Sequence, residues 1–132
     1  MANDSYPLLF SPCLIGKRKA PNRFVSQPME CNDSLGGKVS ERTIARYEAL
    51  AAGGWGIIIV ESLAISADCL ARKNQIVLNQ ENLESFQRLV AAIRLVNPET
   101  IILMQISHSG RKSGTEFSRP TALYAPKEGE HL

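Results

Sequence analysis

At 132 residues, 44% of them hydrophobic and 21% charged, the chain has the apolar content of one globular domain and too much of it for a disordered segment. A net charge of +2, without a block of Lys and Arg interleaved with aromatics, excludes a nucleic-acid partner from the expectations. Cys13, Cys31 and Cys69 are widely spaced and form no CxxC pair, which argues against a disulfide scaffold and against a structural zinc site.

The first seven residues show no basic segment leading into an apolar one, and no apolar run approaches the roughly 18 residues of a membrane helix. A cytoplasmic protein with reduced thiols and no membrane partner is expected. Residues 8–25 read as a short two-stranded ribbon. Its basic tip, Lys17-Arg18-Lys19, lies between Leu14-Ile15-Gly16 and Pro21-Asn22, and three charges there are a solvated turn. Phe24-Val25-Ser26-Gln27 predicts a first buried strand, stopped by Pro28, which has no N–H to give a central ladder. A turn-rich loop, 32–38, follows.

Ser40 is placed to cap a helix, with Glu41 favourable in its first turn. Ile44, Tyr47 and Ala51 fall at i, i+3 and i+7 with Leu50 beside them, and Gly53-Gly54 ends the segment. Residues 55–61 then carry Ile57-Ile58-Ile59-Val60, four β-branched residues without alternation. That predicts a strand buried on both faces of a parallel sheet, ending at Glu61-Ser62. After a longer loop, Asn79 caps a second helix whose stripe is Leu83, Phe86, Val90 and Ile93, widened by Leu89 and Val96 and ended by Asn97-Pro98.

Residues 100–106 predict a third strand, again buried on both sides, that closes in Gln105, His108 and Arg111. An apolar strand ending abruptly in polar side chains is how α/β enzymes present chemistry at the carboxyl edge of the sheet. Gly114, Pro120, Pro126 and Gly129 punctuate the remainder, so 112–132 reads as a long loop or loosely held tail. Strand–helix–strand–helix–strand makes two right-handed βαβ units. Three such strands leave edges and one face uncovered, an unfinished architecture beside a (β/α)8 barrel, which takes about 250 residues.

Several segments agree with one family in order and spacing. They are Leu9-Phe10-Ser11-Pro12, Ile15-Gly16, Asn22-Arg23-Phe24-Val25, Gln27-Pro28-Met29-Glu30, Arg46-Tyr47-Glu48, Ala52-Gly53-Gly54-Trp55-Gly56, Val60-Glu61-Ser62 and Gln105-x-x-His108-x-Gly110-Arg111. Over residues 8–113 the chain closely resembles the N-terminal third of the old yellow enzyme family, FMN-dependent NAD(P)H:flavin oxidoreductases that reduce activated carbon–carbon double bonds. The fold expected from the resemblance is α/β: the first β-α-β-α-β portion of a TIM (β/α)8 barrel with an N-terminal β-hairpin, residues 1–132 forming the N-terminal third of an FMN-binding barrel.

The resemblance also implies roles. Gln27, Pro28, Met29 and Glu30 would approach the isoalloxazine ring from the end of the first strand. The last of these positions is often Thr or Cys in better-known members, whereas here it is Glu30 with Cys31 next. A carboxylate there would disfavour the anionic reduced flavin and lower its potential; otherwise Glu30 faces solvent or caps a loop. Ser62 matches a small-residue position whose backbone faces the pyrimidine edge, or is an ordinary strand end like Glu61. Gln105 matches the amide that pairs with the pyrimidine side, offering donor and acceptor together. His108 and Arg111 are candidates for the substrate side, or structural. Trp55 and Met104 belong to the core. The proton-donating Tyr, the substrate-anchoring His/Asn pair, the phosphate site and the iron–sulfur cysteines of some members all belong to later strands, so no catalytic residue and no metal are assigned here. Three readings follow: part of an oxidoreductase using FMN and NAD(P)H on a small-molecule substrate; an inactive barrel fragment acting through self-association or a complementing chain; and an unrelated βαβ binding domain.

Overall fold

The computed structural model describes residues 5–121. A short helix, α1 (Pro7–Phe10), precedes a hairpin of β1 (Cys13–Ile15) and β2 (Arg18–Ala20), paired Cys13 to Ala20 and Ile15 to Arg18. Gly16 opens the two-residue turn at φ +59°, a conformation that penalises a Cβ. The helix was not foreseen: Pro7 suits a first helical turn, and the turn is too short to show periodicity.

The main sheet has three parallel strands in the order β3 (Val25–Ser26), β4 (Ile57–Ala64) and β5 (Ile101–Ser107), linked by α2 (Glu41–Ala52) and α3 (Leu83–Val96). The predicted first strand, 24–27, contracts to two residues. The Phe24 N–H is taken by Asn22 Oδ1 at 3.1 Å, and a strand with a partner on one side only has little to extend its pairing. The Ser40 Oγ accepts the Thr43 N–H at 3.1 Å, as its capping role requires.

Both helices pack on one face of the sheet. Ile44, Tyr47 and Ala51 of α2 and Phe86, Leu89 and Ile93 of α3 close a core over Ile58, Val60 and Leu63 of β4, with Trp55 and Met104 packed against it. Leu83 and Val96 of the expected stripe lie outside this face. An ion pair from Arg88 to Glu41 joins the helices at the surface.

β5 differs from the expectation of a strand buried on both sides. Its Ile102 and Met104 meet the core, but Leu103 is 43% and Ile106 60% exposed. It is the last strand of the sheet; β2 touches it near its start, while Leu103 and Ile106 stay open further along.

β4 runs three residues beyond Glu61. Val60 pairs with Met104 and Leu63 with Ile106, so Glu61 and Ser62 together oppose Gln105 alone. This bulge keeps Val60 and Leu63 in one core although they stand an odd number of residues apart, which regular alternation forbids. A smaller cluster, Ala64, Cys69, Leu70 and Val77, receives Phe117. Residues 112–121 are tied beneath it, Gly114 N–H to Leu70 O at 2.9 Å and Arg119 N–H to Asp68 O at 3.0 Å. Residues 122–132 of the expected tail lie outside the described residues. No described helix is long and apolar enough to cross a membrane.

Candidate functional site

Parallel pairing brings the carboxyl ends of β3, β4 and β5 to one rim of the sheet. After β3 the backbone turns tightly, Met29 N–H donating to Gln27 O at 2.8 Å. Gln27 and Met29 stand exposed, Met29 by 73%, with Pro28 half-buried between them. Glu30 turns inward instead. Its side chain is 12% exposed, Arg72 Nε lies 3.8 Å from Oε1, and Oε1 is buried without a hydrogen bond among the described residues. Burial pushes its carboxyl above the usual range, Arg72 opposing and Glu61 reinforcing that shift.

Ser62 lies in the β4 bulge. Its Oγ meets Ser107 Oγ of β5 at 2.8 Å, and buried Gln75 donates through Nε2 to Ser62 O at 3.1 Å and to Ser62 Oγ at 3.2 Å. Gln75 Oε1 accepts the Ala71 N–H at 2.8 Å, so one amide ties two strand ends to the following loop. Neither Gln75 nor Ser107 drew notice in the sequence, since their meeting depends on how the loop folds back. Gln105 is exposed opposite the bulge, and its amide makes no hydrogen bond among the described residues. His108 is exposed, with Nδ1 accepting the Gly110 N–H at 3.0 Å, an arrangement that keeps the proton of the neutral ring on Nε2. Arg111 follows in the short turn Gly110–Lys112, also exposed.

A charged cluster lies behind the rim. Glu61 is fully buried and accepts from Arg46 Nη2 at 2.6 Å, while Arg46 also reaches Asp33 at 3.4 Å. Burial alone would pull the Arg46 guanidinium down, but the hydrogen bond and charge of Glu61 outweigh it and hold it above its ordinary range. Tyr47 is pushed up, chiefly by burial. The signal for this cluster was a carboxylate in an otherwise apolar strand, although the strand alone does not name the partner.

Gln27 and Met29 line a shallow hollow with Cys31, Arg46, Tyr47, Leu50 and Trp55, and Gln105 is exposed on β5, across β4 from them. Each of the two amides offers a donor and an acceptor, the chemistry a ring with N–H and carbonyl groups at its edge would need. Among the described residues, no three His, Cys, Asp or Glu side chains converge as a metal site would require.

The sequence profile of the NADH:flavin oxidoreductase / NADH oxidase family matches residues 8–130. An NADPH dehydrogenase of Bacillus cytotoxicus is 31% identical over 120 residues, covering 87% of this chain and 34% of that protein. An NADH oxidase of Thermoanaerobacter brockii is 36% identical over 125 residues, covering 89% of this chain and 19% of that protein. The solved structure of an old yellow enzyme homologue from Zymomonas mobilis superimposes with a TM-score of 0.69 at 25% identity, over 80% of this chain and 29% of its own. The chain therefore spans about a third or less of the relatives it matches, and its α/β fold corresponds to part of their TIM barrels.

Proposed function

The chain belongs to the NADH:flavin oxidoreductase / NADH oxidase family, and from that premise we propose that it contributes the first strands of an FMN-dependent NAD(P)H oxidoreductase acting on activated carbon–carbon double bonds of small molecules. The observation that carries this reading is the sheet's carboxyl side: Gln27 to Glu30 follow β3, while Ser62 and Gln105 each lie two residues before the end of the neighbouring parallel strands β4 and β5. When bound, FMN would supply the hydride chemistry between NAD(P)H and the substrate. The chain's own residues bind and orient. Gln105 would offer its NH2 to a carbonyl and its oxygen to an N–H of the pyrimidine side, Gln27 and Met29 would hold the ring from the end of β3, and the Ser62 backbone would bound its edge. Glu30 is the acceptor left over, suited to an N–H and unfavourable to negative charge nearby. His108 and Arg111 serve the substrate side. Proton donation to the substrate is assigned to no residue of this chain. A cytoplasmic setting accords with three cysteines that form no disulfide.

A second reading has an observation of its own. The open edge of β5 and the exposure of Leu103 and Ile106 favour an inactive fragment held by self-association or a complementing chain. One experiment separates the two: a visible absorption scan of the purified chain with and without added FMN, followed by gel filtration. A flavin band travelling with the protein is expected on the first reading. Protein that stays colourless while forming concentration-dependent oligomers would leave the second.

A further inference from the structure

The Glu61 cluster has no part in the contacts proposed above, yet it touches the backbone that makes them. Glu61 Oε1 accepts from Arg46 Nη2 at 2.6 Å, and Oε2 accepts the backbone N–H of Cys31 at 3.2 Å. Two residues on, Asp33 receives Arg46 at 3.4 Å and the Thr43 hydroxyl at 2.8 Å. The segment leaving β3 is therefore gripped twice by α2, at residue 31 through Glu61 and at residue 33 directly. β3 itself pairs with β4 through only Val25 and Ser26, too short a ladder to fix the backbone beyond it. A buried ion pair is seldom more stabilising than apolar residues of the same volume, so stability alone is a weak reason for this one.

We propose that Glu61, clamped by Arg46, is a positioning residue: through the Cys31 N–H it sets the backbone of residues 28–31 for contact with the flavin. The proposal rests on the flavin reading above. It distinguishes Glu61 from Tyr47, which lines the same hollow as Met29 and Cys31 and whose hydroxyl accepts the Glu61 backbone N–H at 2.7 Å, but which gives the 28–31 backbone no hydrogen bond among the described residues. A glutamine at 61 would offer one acceptor oxygen to two donors, turning its NH2 toward either Arg46 or Cys31.

The test uses the full chain, in wild-type, Glu61→Gln and Tyr47→Phe forms. Amide hydrogen exchange is followed at Cys31, and FMN affinity is measured by fluorescence titration. In Glu61→Gln, Cys31 exchange should accelerate and the FMN Kd should rise, each by about tenfold or more, the weight of one charge-assisted hydrogen bond. Tyr47→Phe should lower the melting temperature and leave both readings near wild type. An unchanged Kd in Glu61→Gln overturns the proposal, as does an equal rise in Tyr47→Phe, which would reduce the effect to general loosening. Should Glu61→Gln fail to fold, Arg46→Lys takes its place, since lysine retains the charge but cannot span Glu61 and Asp33 together. An intermediate Kd supports the role there, and a wild-type Kd overturns it. A wild-type chain that protects the Cys31 amide yet takes up no FMN would fail the flavin reading and this role with it, whereas equal FMN binding by wild type and Glu61→Gln would sink the positioning role alone.

Discussion

Glu30 shows how burial, charge and a missing partner compete at one carboxylate. Its Oε1 has lost water without gaining a hydrogen bond, and Arg72, 62% exposed and 3.8 Å away, returns little. The folded state therefore raises this carboxyl. Such a group favours folding only while it is protonated. Its contribution is fully present below the unfolded carboxyl value and is lost as pH rises through the higher folded one. Glu30→Gln should accordingly raise stability at pH 7 by about 1 kcal/mol, the desolvation term exceeding a surface-type ion pair, with the gain vanishing toward about pH 4. Melting temperatures of both forms across that range check it; a variant less stable at neutral pH would mean that Arg72 outweighs desolvation. The exposure of Gln27 and Gln105 was legible in the sequence, because each puts an amide beside an apolar run. That Glu30 turns inward was not, since the groups around it, Arg72 and Glu61, come from positions far along the chain. The Glu61–Cys31 contact was equally hidden, as it joins residues 30 apart.

At the scale of elements, periodicity identified α2 and α3, and unbroken apolar runs identified β4 and β5; Ser40 caps α2 as expected, whereas Asn79 caps a 3-10 turn, Gln80–Asn82, that precedes α3. Ser40→Ala should cost about 1 kcal/mol by freeing the Thr43 N–H, measurable by urea unfolding. Gly56→Ala should cost more, about 2 kcal/mol or above. A Cβ there would stand 2.4 Å from the Asn22 carbonyl oxygen, and Asn22 cannot yield freely because its side chain holds Gly54 O at 2.8 Å and the Phe24 N–H. A variant as stable as wild type would show that the approach of residue 22 to β4 is slack. What periodicity could not show is where β4 stops. Glu61-Ser62 reads as an end because polarity begins there, yet a bulge carries the strand on to Ala64, with the charge compensated by a residue of α2. The exposed face of β5 was misread for a related reason. Apolar composition records what a strand is suited to contact, while burial also depends on what stands beside it.

Across the whole molecule, the helices shield one face of the sheet and leave the other open at its last strand. Ile106→Lys should weaken any concentration-dependent association seen by sedimentation, with little effect on folding because the side chain is already 60% exposed. Association unaffected by the change would direct attention to the β3 edge. The strand order has a further consequence. Every strand of the main sheet lies beside the one before it in the chain, and each crossover helix packs where it is made. On a ribosome, β4 would therefore emerge to find β3 already waiting, and β5 would find β4. The rim would be laid down in the direction of translation, with the Gln27 corner in place before Gln105 has been synthesised.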